Sequence, residues 1–338
     1  MPSSKKHFFL FSLFTGILLS LAWPVHGFPG LLFIGLVPLL LIEDHYFCNK
    51  EQYGRWGIFR WAYIAFFTWN ALTTWWIWNS TGLGAVMALI FNSLFMAMVF
   101  TLFHITRRTF RHSAGFHWLL PVYWMAWEYF HLNWDLSWPW LNLGNGFGSY
   151  IQWVQWYEFT GATGGTLWVI GANLLVFFTI RNFRLAEKDL RKSVVRGIAL
   201  LLWIGIPLGF SLYRYQHYTE QGPQADVVVV QPNIDPWSEQ YTLPVEEVFR
   251  RNITQAAKLT DSLTDFLVCP ESALQESIWL NNPRNSASIP MIEAFVRNHP
   301  NLTVVIGAST FKAYGPGEKL PPTARKFRNQ EGYFDAFN

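Results

Sequence analysis

A polytopic α-helical membrane domain followed by an α/β domain is the fold class predicted by three features of this sequence. The 338-residue chain is 51% hydrophobic and 18% aromatic but only 14% charged, against about 25% charged in an average soluble domain. It carries 19 tryptophans, and Trp gathers where a ring sits half in lipid and half in water. At Gln224 the texture changes from long apolar segments to short β-branched runs alternating with amphipathic ones. The boundaries read from this change are 1–215 for the membrane domain and 224–338 for the α/β domain.

Seven apolar segments make up the first domain: Phe8 to Trp23, Pro29 to Ile42, Trp61 to Trp78, Ala85 to Ile105, His117 to Tyr129, Thr166 to Ile180 and Gly197 to Leu212. Several approach the roughly 20 residues that cross a bilayer, and they lack the polar face of a soluble amphipathic helix. The first two, separated by PVHGF, read as a helical hairpin. Lys5 and Lys6, then Lys50, Arg55 and Arg60, then Arg107, Arg108 and Arg111, then six cations from Arg181 to Arg196, occupy alternate connections. The intervening connections, 24–28, 79–84 and 131–165, hold no Lys or Arg. Basic loops stay in the cytoplasm, so the N-terminus is expected there and everything after Leu212 outside. A cleaved signal peptide is the competing reading of the first segment, but no A-x-A-like site follows it.

In the second domain, ADVVVVQPNI (225–234) predicts a buried strand and PVEEVFRRNITQAAKLTDSL (244–263) a helix with Pro and acids at its start. DFLVCPE predicts a second strand, 289–300 a second helix and NLTVVIGAST (301–310) a third strand, a βαβ-type layer. Residues 312–330 read as a polar loop, and GYFDAF (332–337) as the start of a further strand. Three strands and two helices bury little core, and a sheet ending mid-strand has an open edge, so the domain is expected to be incomplete.

Glu271 is a carboxylate that these patterns place at a strand's carboxyl end, where ligands of α/β sheets sit. A carboxylate there can shuttle protons; a capping or solvated loop residue is the alternative reading. Cys269 lies two residues earlier on the strand and reads as a structural core cysteine. Lys312, Lys319 and Lys326 read as solvated loop lysines. Glu128, in the fifth apolar segment, is either a buried acid in a costly place or one bathed in interfacial water. GNGFG (144–148) follows no strand and reads as a loop, not a phosphate cradle. The nine His show no metal spacing. With two cysteines there is no disulfide framework, and a net charge of +3 suggests no nucleic-acid partner.

The charge alternation, SWPWLNLGN (137–145), GATGG with GANLL (161–175), then VVVVQPNIDPW, VCPESAL and VVIGAS in that order, resemble apolipoprotein N-acyltransferases, the membrane members of the nitrilase or carbon–nitrogen hydrolase superfamily. The resemblance implies an αββα nitrilase-like fold for the second domain and residence in the bacterial inner membrane with that domain periplasmic. It implies N-acylation of the diacylglyceryl-cysteine of an apolipoprotein with a phospholipid as acyl donor, by a ping-pong thioester mechanism without cofactor or metal. Of the family's Glu–Lys–Cys triad, Glu271 stands at the glutamate position as general base. Trp237 stands in a loop where the family has a substrate-positioning aromatic. Cys269 departs from the Trp common at its position. The Lys and Cys segments and a last membrane helix are expected beyond 338, as in a chain truncated at its C-terminus. Two rival expectations are an inactive fragment that binds lipid or lipoprotein, and a transporter with a soluble appendage. Few ionisable residues in the apolar segments speak against the transporter.

Overall fold

A computed structural model describes residues 4–110, 114–134, 136–184, 190–235, 238–239, 242–271, 273–328 and 332–337. The chain divides into two compact units, Met1–Thr219 and Glu220–Asn338.

Among the described residues the first unit is all helix: α1 (Lys5–Ala22), α2 (Leu32–Gly35), α3 (Val37–Cys48), α4 (Phe59–Thr74), α5 (Gly82–Phe110), α6 (Leu119–Leu132), α7 (Tyr157–Arg184) and α8 (Leu190–His217). All seven apolar segments are helical. Among the described residues five spans, Lys5–Ala22, Pro29–Cys48, Gly82–Phe110, Tyr157–Phe183 and Leu190–His217, are long and apolar enough to cross a membrane. The segment Trp61–Trp78 is divided between α4 and a 3-10 turn at Trp75–Asn79, and His117–Tyr129 falls largely in the 14-residue α6.

The second span is interrupted between α2 and α3, where Pro38 supplies no N–H. Asn173 of α7 repairs the interruption: its Oδ1 accepts from the Leu36 N–H at 2.8 Å, and its Nδ2 donates to the Leu32 carbonyl at 2.7 Å. Backbone groups in an apolar medium require such partners.

α3 runs past Ile42, where the apolar reading stopped, and carries Glu43 and Asp44 into the interior, both fully buried. Arg107 of α5 pairs with Glu43 and also with Asp44 at 2.9 Å. His104 Nδ1 lies 2.7 Å from Glu43, and Arg181 of α7 lies 3.2 Å from Asp44. The ionisable residues of this unit are thus more numerous inside than the apolar pattern suggested, and they tie α3, α5 and α7 together by charge.

The second unit holds β1 (Val227–Val229), α9 (Val245–Ala256), β2 (Phe266–Val268), β3 (Leu274–Trp279), α10 (Ser288–Arg297), β4 (Thr303–Val305), β5 (Ala308–Tyr314), β6 (Arg325–Lys326) and β7 (Tyr333–Phe337). Two sheets form: a parallel one of order β1-β2-β4, and a mixed one of order β3-β5-β7-β6. The first is the expected βαβ layer, but β1 is not the buried strand predicted, since Val227 and Val229 are exposed and only Val228 is buried; the second sheet corrects several further expectations. LQESIW is a strand, and the run 301–310 is divided between two strands in different sheets. Lys312 lies within β5 and Lys326 within β6, not in a loop. β7 is hydrogen-bonded on both sides, to β5 and β6, so it is not an open edge.

α9 ends at Ala256, short of the predicted Leu263. There Asp261 Oδ1 accepts from the Leu263 and Thr264 N–H groups, at 2.9 and 3.1 Å, and this Asx-type turn competes with helix. The core beneath the parallel sheet is small: Val228, Val230, Ala256, Leu267 and Leu302.

Candidate active site

Glu271 is positioned by a double change of sheet. β2 and β4 pair in the first sheet up to Val268 and Val305; β3 and β5 resume pairing in the second sheet at Leu274 and Ala308. Between these points the β2–β3 connection has three more residues than the β4–β5 connection, an excess of the kind that marks a bulge. Glu271 is the exposed turn residue of that segment, at the carboxyl end of the central parallel strand.

The crossing is stitched by backbone hydrogen bonds. Cys269 N–H donates to the Val305 carbonyl at 2.8 Å, Gly307 N–H to the Pro270 carbonyl at 3.1 Å, and Leu274 N–H to the Gly307 carbonyl at 3.0 Å. The carboxylate therefore hangs from a fixed backbone while its head remains in contact with solvent, an arrangement suited to exchanging a proton with a bound group.

The other predicted residues are not gathered around it as a triad. Cys269 packs half-buried against the small core, and burial raises its thiol pKa, the opposite of what a nucleophile requires. Cys48 belongs to the first unit. Lys312 pairs with Glu318 at 3.4 Å and lies 4.9 Å from the centre of the Tyr314 ring. Lys319 and Lys326 are exposed. Trp237 lies outside the described residues.

In the first unit Glu128 is buried, not bathed in interfacial water. Its carboxylate accepts from the Leu143 N–H at 2.8 Å, Trp124 Nε1 at 3.1 Å and Thr166 Oγ1 at 2.6 Å. These bonds fasten the aromatic connection 133–156 to α6 and α7. Gly144 of that connection serves packing: a Cβ on it would lie 1.8 Å from the Ala162 carbonyl oxygen, and the Tyr157 hydroxyl donates to the Gly144 carbonyl at 2.9 Å. GNGFG is thus a loop and 3-10 turn pressed against α7, as its lack of a preceding strand suggested.

Residues 15–175 match the family profile described as the apolipoprotein N-acyltransferase N-terminal domain. This chain is similar to the apolipoprotein N-acyltransferases. It is 27% identical over 311 residues to an apolipoprotein N-acyltransferase of Chlorobaculum tepidum, covering 88% of this chain and 55% of that relative. It is 27% identical over 328 residues to one of Geobacter metallireducens, covering 92% of this chain and 58% of the relative. An apolipoprotein N-acyltransferase 1 of Treponema denticola is 25% identical over 284 residues, covering 78% and 48%. The chain spans about half the length of the curated relatives it matches. The long apolar helices, together with this similarity, are those of a multi-pass membrane protein.

One feature of the candidate site left little trace in the sequence. Gly307 looks like an ordinary strand glycine in VVIGAS, and only its pairing with Pro270 and Leu274 gives it a place beside Glu271.

Proposed function

We propose that this chain supplies the membrane domain and the glutamate-bearing part of an acyl-transfer site. The reaction moves an acyl chain from a phospholipid to the N-terminal diacylglyceryl-cysteine of an apolipoprotein. The observation that carries this reading is an exposed Glu271 at the carboxyl end of a parallel strand, in a chain similar to curated N-acyltransferases over most of its length.

In the first half-reaction a thiolate attacks the ester carbonyl of the phospholipid. A thioester forms and the lysophospholipid leaves as its alcohol. Glu271 takes the thiol proton and returns it to that departing oxygen. In the second, the lipoprotein amine attacks the thioester, Glu271 takes the amine proton, and the thiol is regenerated. A lysine ammonium stabilises each oxyanion. By the family pattern the thiol and lysine belong to a C-terminal segment following β7, and neither Cys48 nor Cys269 is the nucleophile. Trp237 positions substrate. The second unit, with a nitrilase-like αββα fold, faces the periplasm, and the N-terminus faces the cytoplasm of a bacterial inner membrane.

The test joins residues 1–338 to the C-terminal segment of the Chlorobaculum tepidum relative and measures acylation of a diacylated lipopeptide in detergent with phospholipid. Glu271→Gln keeps the size but cannot take a proton, so turnover should fall by about 10²- to 10⁴-fold. Full activity of Glu271→Gln would return the residue to a capping role. Tags at residue 1 and after Leu212 should report opposite sides of the membrane.

A further inference from the structure

At residue 307 there is no room for a side chain. A Cβ built there would lie 1.4 Å from the carbonyl oxygen of Glu271, 2.1 Å from its carbonyl carbon and 2.5 Å from its Cα. All three are backbone atoms, so no rotamer change relieves the contact. The requirement is for space alone, because Gly307 is not among the glycines of positive φ. On either side of this contact the same residue bonds to Pro270 through its N–H and to Leu274 through its carbonyl. Gly307 thus bonds to the turn on both flanks of Glu271 and touches the backbone of Glu271 itself.

We propose that Gly307 is a positioning residue for Glu271: its bare Cα lets the β4–β5 connection press against the Glu271 peptide and set the height of the carboxylate above the sheet. This inference rests on the reading of Glu271 as the proton acceptor. A methyl group at 307 needs ordinary van der Waals separation, so the Glu271 peptide must withdraw by about 2 Å. Displacement of a reacting group by about 1 Å can already cost on the order of 10²-fold in rate. Cys269, half-buried just before the turn, gives a report on the same movement that does not depend on catalysis.

Two measurements test the proposal. The first uses the 338-residue chain with Cys48→Ser, which leaves Cys269 as the single thiol of the two. Gly307→Ala should speed maleimide labelling of Cys269 by about 10-fold, because uncovering the thiol favours the reactive thiolate. Gly315→Ala, where the nearest atom to an added Cβ is a Glu318 carboxylate oxygen at 3.7 Å, should leave the rate unchanged. Hydrogen exchange that rises around residues 269–274 and not in α9 or β7 distinguishes a displaced turn from an unfolded unit. Unchanged labelling, or loss of protection throughout the unit, overturns the proposal.

The second uses the joined enzyme. Gly307→Ala should lower kcat by about 10²-fold with KM nearly unchanged, and the double variant with Glu271→Gln should be no slower than Glu271→Gln alone. Losses that multiply would mean that Gly307 acts elsewhere. A fully active Glu271→Gln enzyme defeats the proton-acceptor reading, and with it the catalytic meaning of Gly307, while the labelling result still reports whether the glycine holds the turn.

Discussion

Glu43, Asp44 and Glu128 in the first unit are buried, and each is met by cations or hydrogen-bond donors from other helices. Glu239, Glu247 and Glu271 in the second unit stand at or near the surface; the first two share Arg251, and Glu271 projects from a turn. The same side chain thus meets two environments. An acid removed from water must be matched and becomes a fastener, whereas an acid left in water needs no buried partner. The cores differ in the same sense. Aromatic and aliphatic side chains from α1 to α7 pack in one large cluster, while among the described residues the parallel sheet of the second unit covers a cluster of five buried ones.

The largest effect is expected where the fasteners are most exposed to loss. Arg107→Met would leave Glu43 and Asp44 short of their shared cation, which should cost about 3–5 kcal/mol, as breaking a buried pair does. Denaturation in detergent followed by Trp fluorescence measures it, and a loss below about 1 kcal/mol would show that the network does not hold the helices.

Leu267→Ala strikes the smaller core. Leu267 is fully buried on the central strand, so a cost of about 2–5 kcal/mol is expected. It should be confined to the second unit: hydrogen exchange should quicken in β1, β2 and α9 and stay unchanged in α3, α5 and α7. Opening of both units together would contradict their separate cores.

Glu128→Ala should cost about 1–3 kcal/mol, since the Leu143 N–H loses its acceptor in a buried site. Protection of residues 141–147 should fall further than that of α6 itself. If the loop holds its protection, the carboxylate is not what fastens it.

The smallest effect belongs to the exposed acids. Hydrogen bonds from Arg250 and Arg251 lower the Glu247 pKa from its usual 4.5 to about 2. A depressed carboxylate pKa contributes stability above the unfolded value and loses it as pH falls through the folded one. Protection of α9 should therefore be flat above pH 4.5 and decline from there toward pH 2. Solvent screens these pairs, so salt should shrink the decline. A decline that begins near neutrality would point to a different group.

How legible these features were depended on how local their causes are. Each apolar segment declared its helix because hydropathy over some fifteen residues already excludes a solvated chain. The same criterion stopped at Ile42, since no local pattern says that an acid pair will meet Arg107 and Arg181 from helices distant in sequence. Glu271 was visible as a carboxylate behind an apolar run. The strand that follows it was not: Gln275, Glu276 and Ser277 break the apolar pattern, and β3 exists because β5 pairs with it. Likewise 301–310 reads as one β-branched run, and only the bonds of Gly307 to Pro270 and Leu274 show where it changes sheet.

By itself, then, the sequence determined which segments are apolar helices, where the βαβ layer begins, and that a carboxylate ends its second strand. These follow from side-chain chemistry and periodicity, which act between near neighbours. The tertiary structure decided which acids are fasteners and which is free, which strands share a sheet, and why residue 307 must be glycine. Those depend on contacts between residues such as Gly307 and Glu271, or Glu43 and Arg107, and no short stretch of sequence contains both partners.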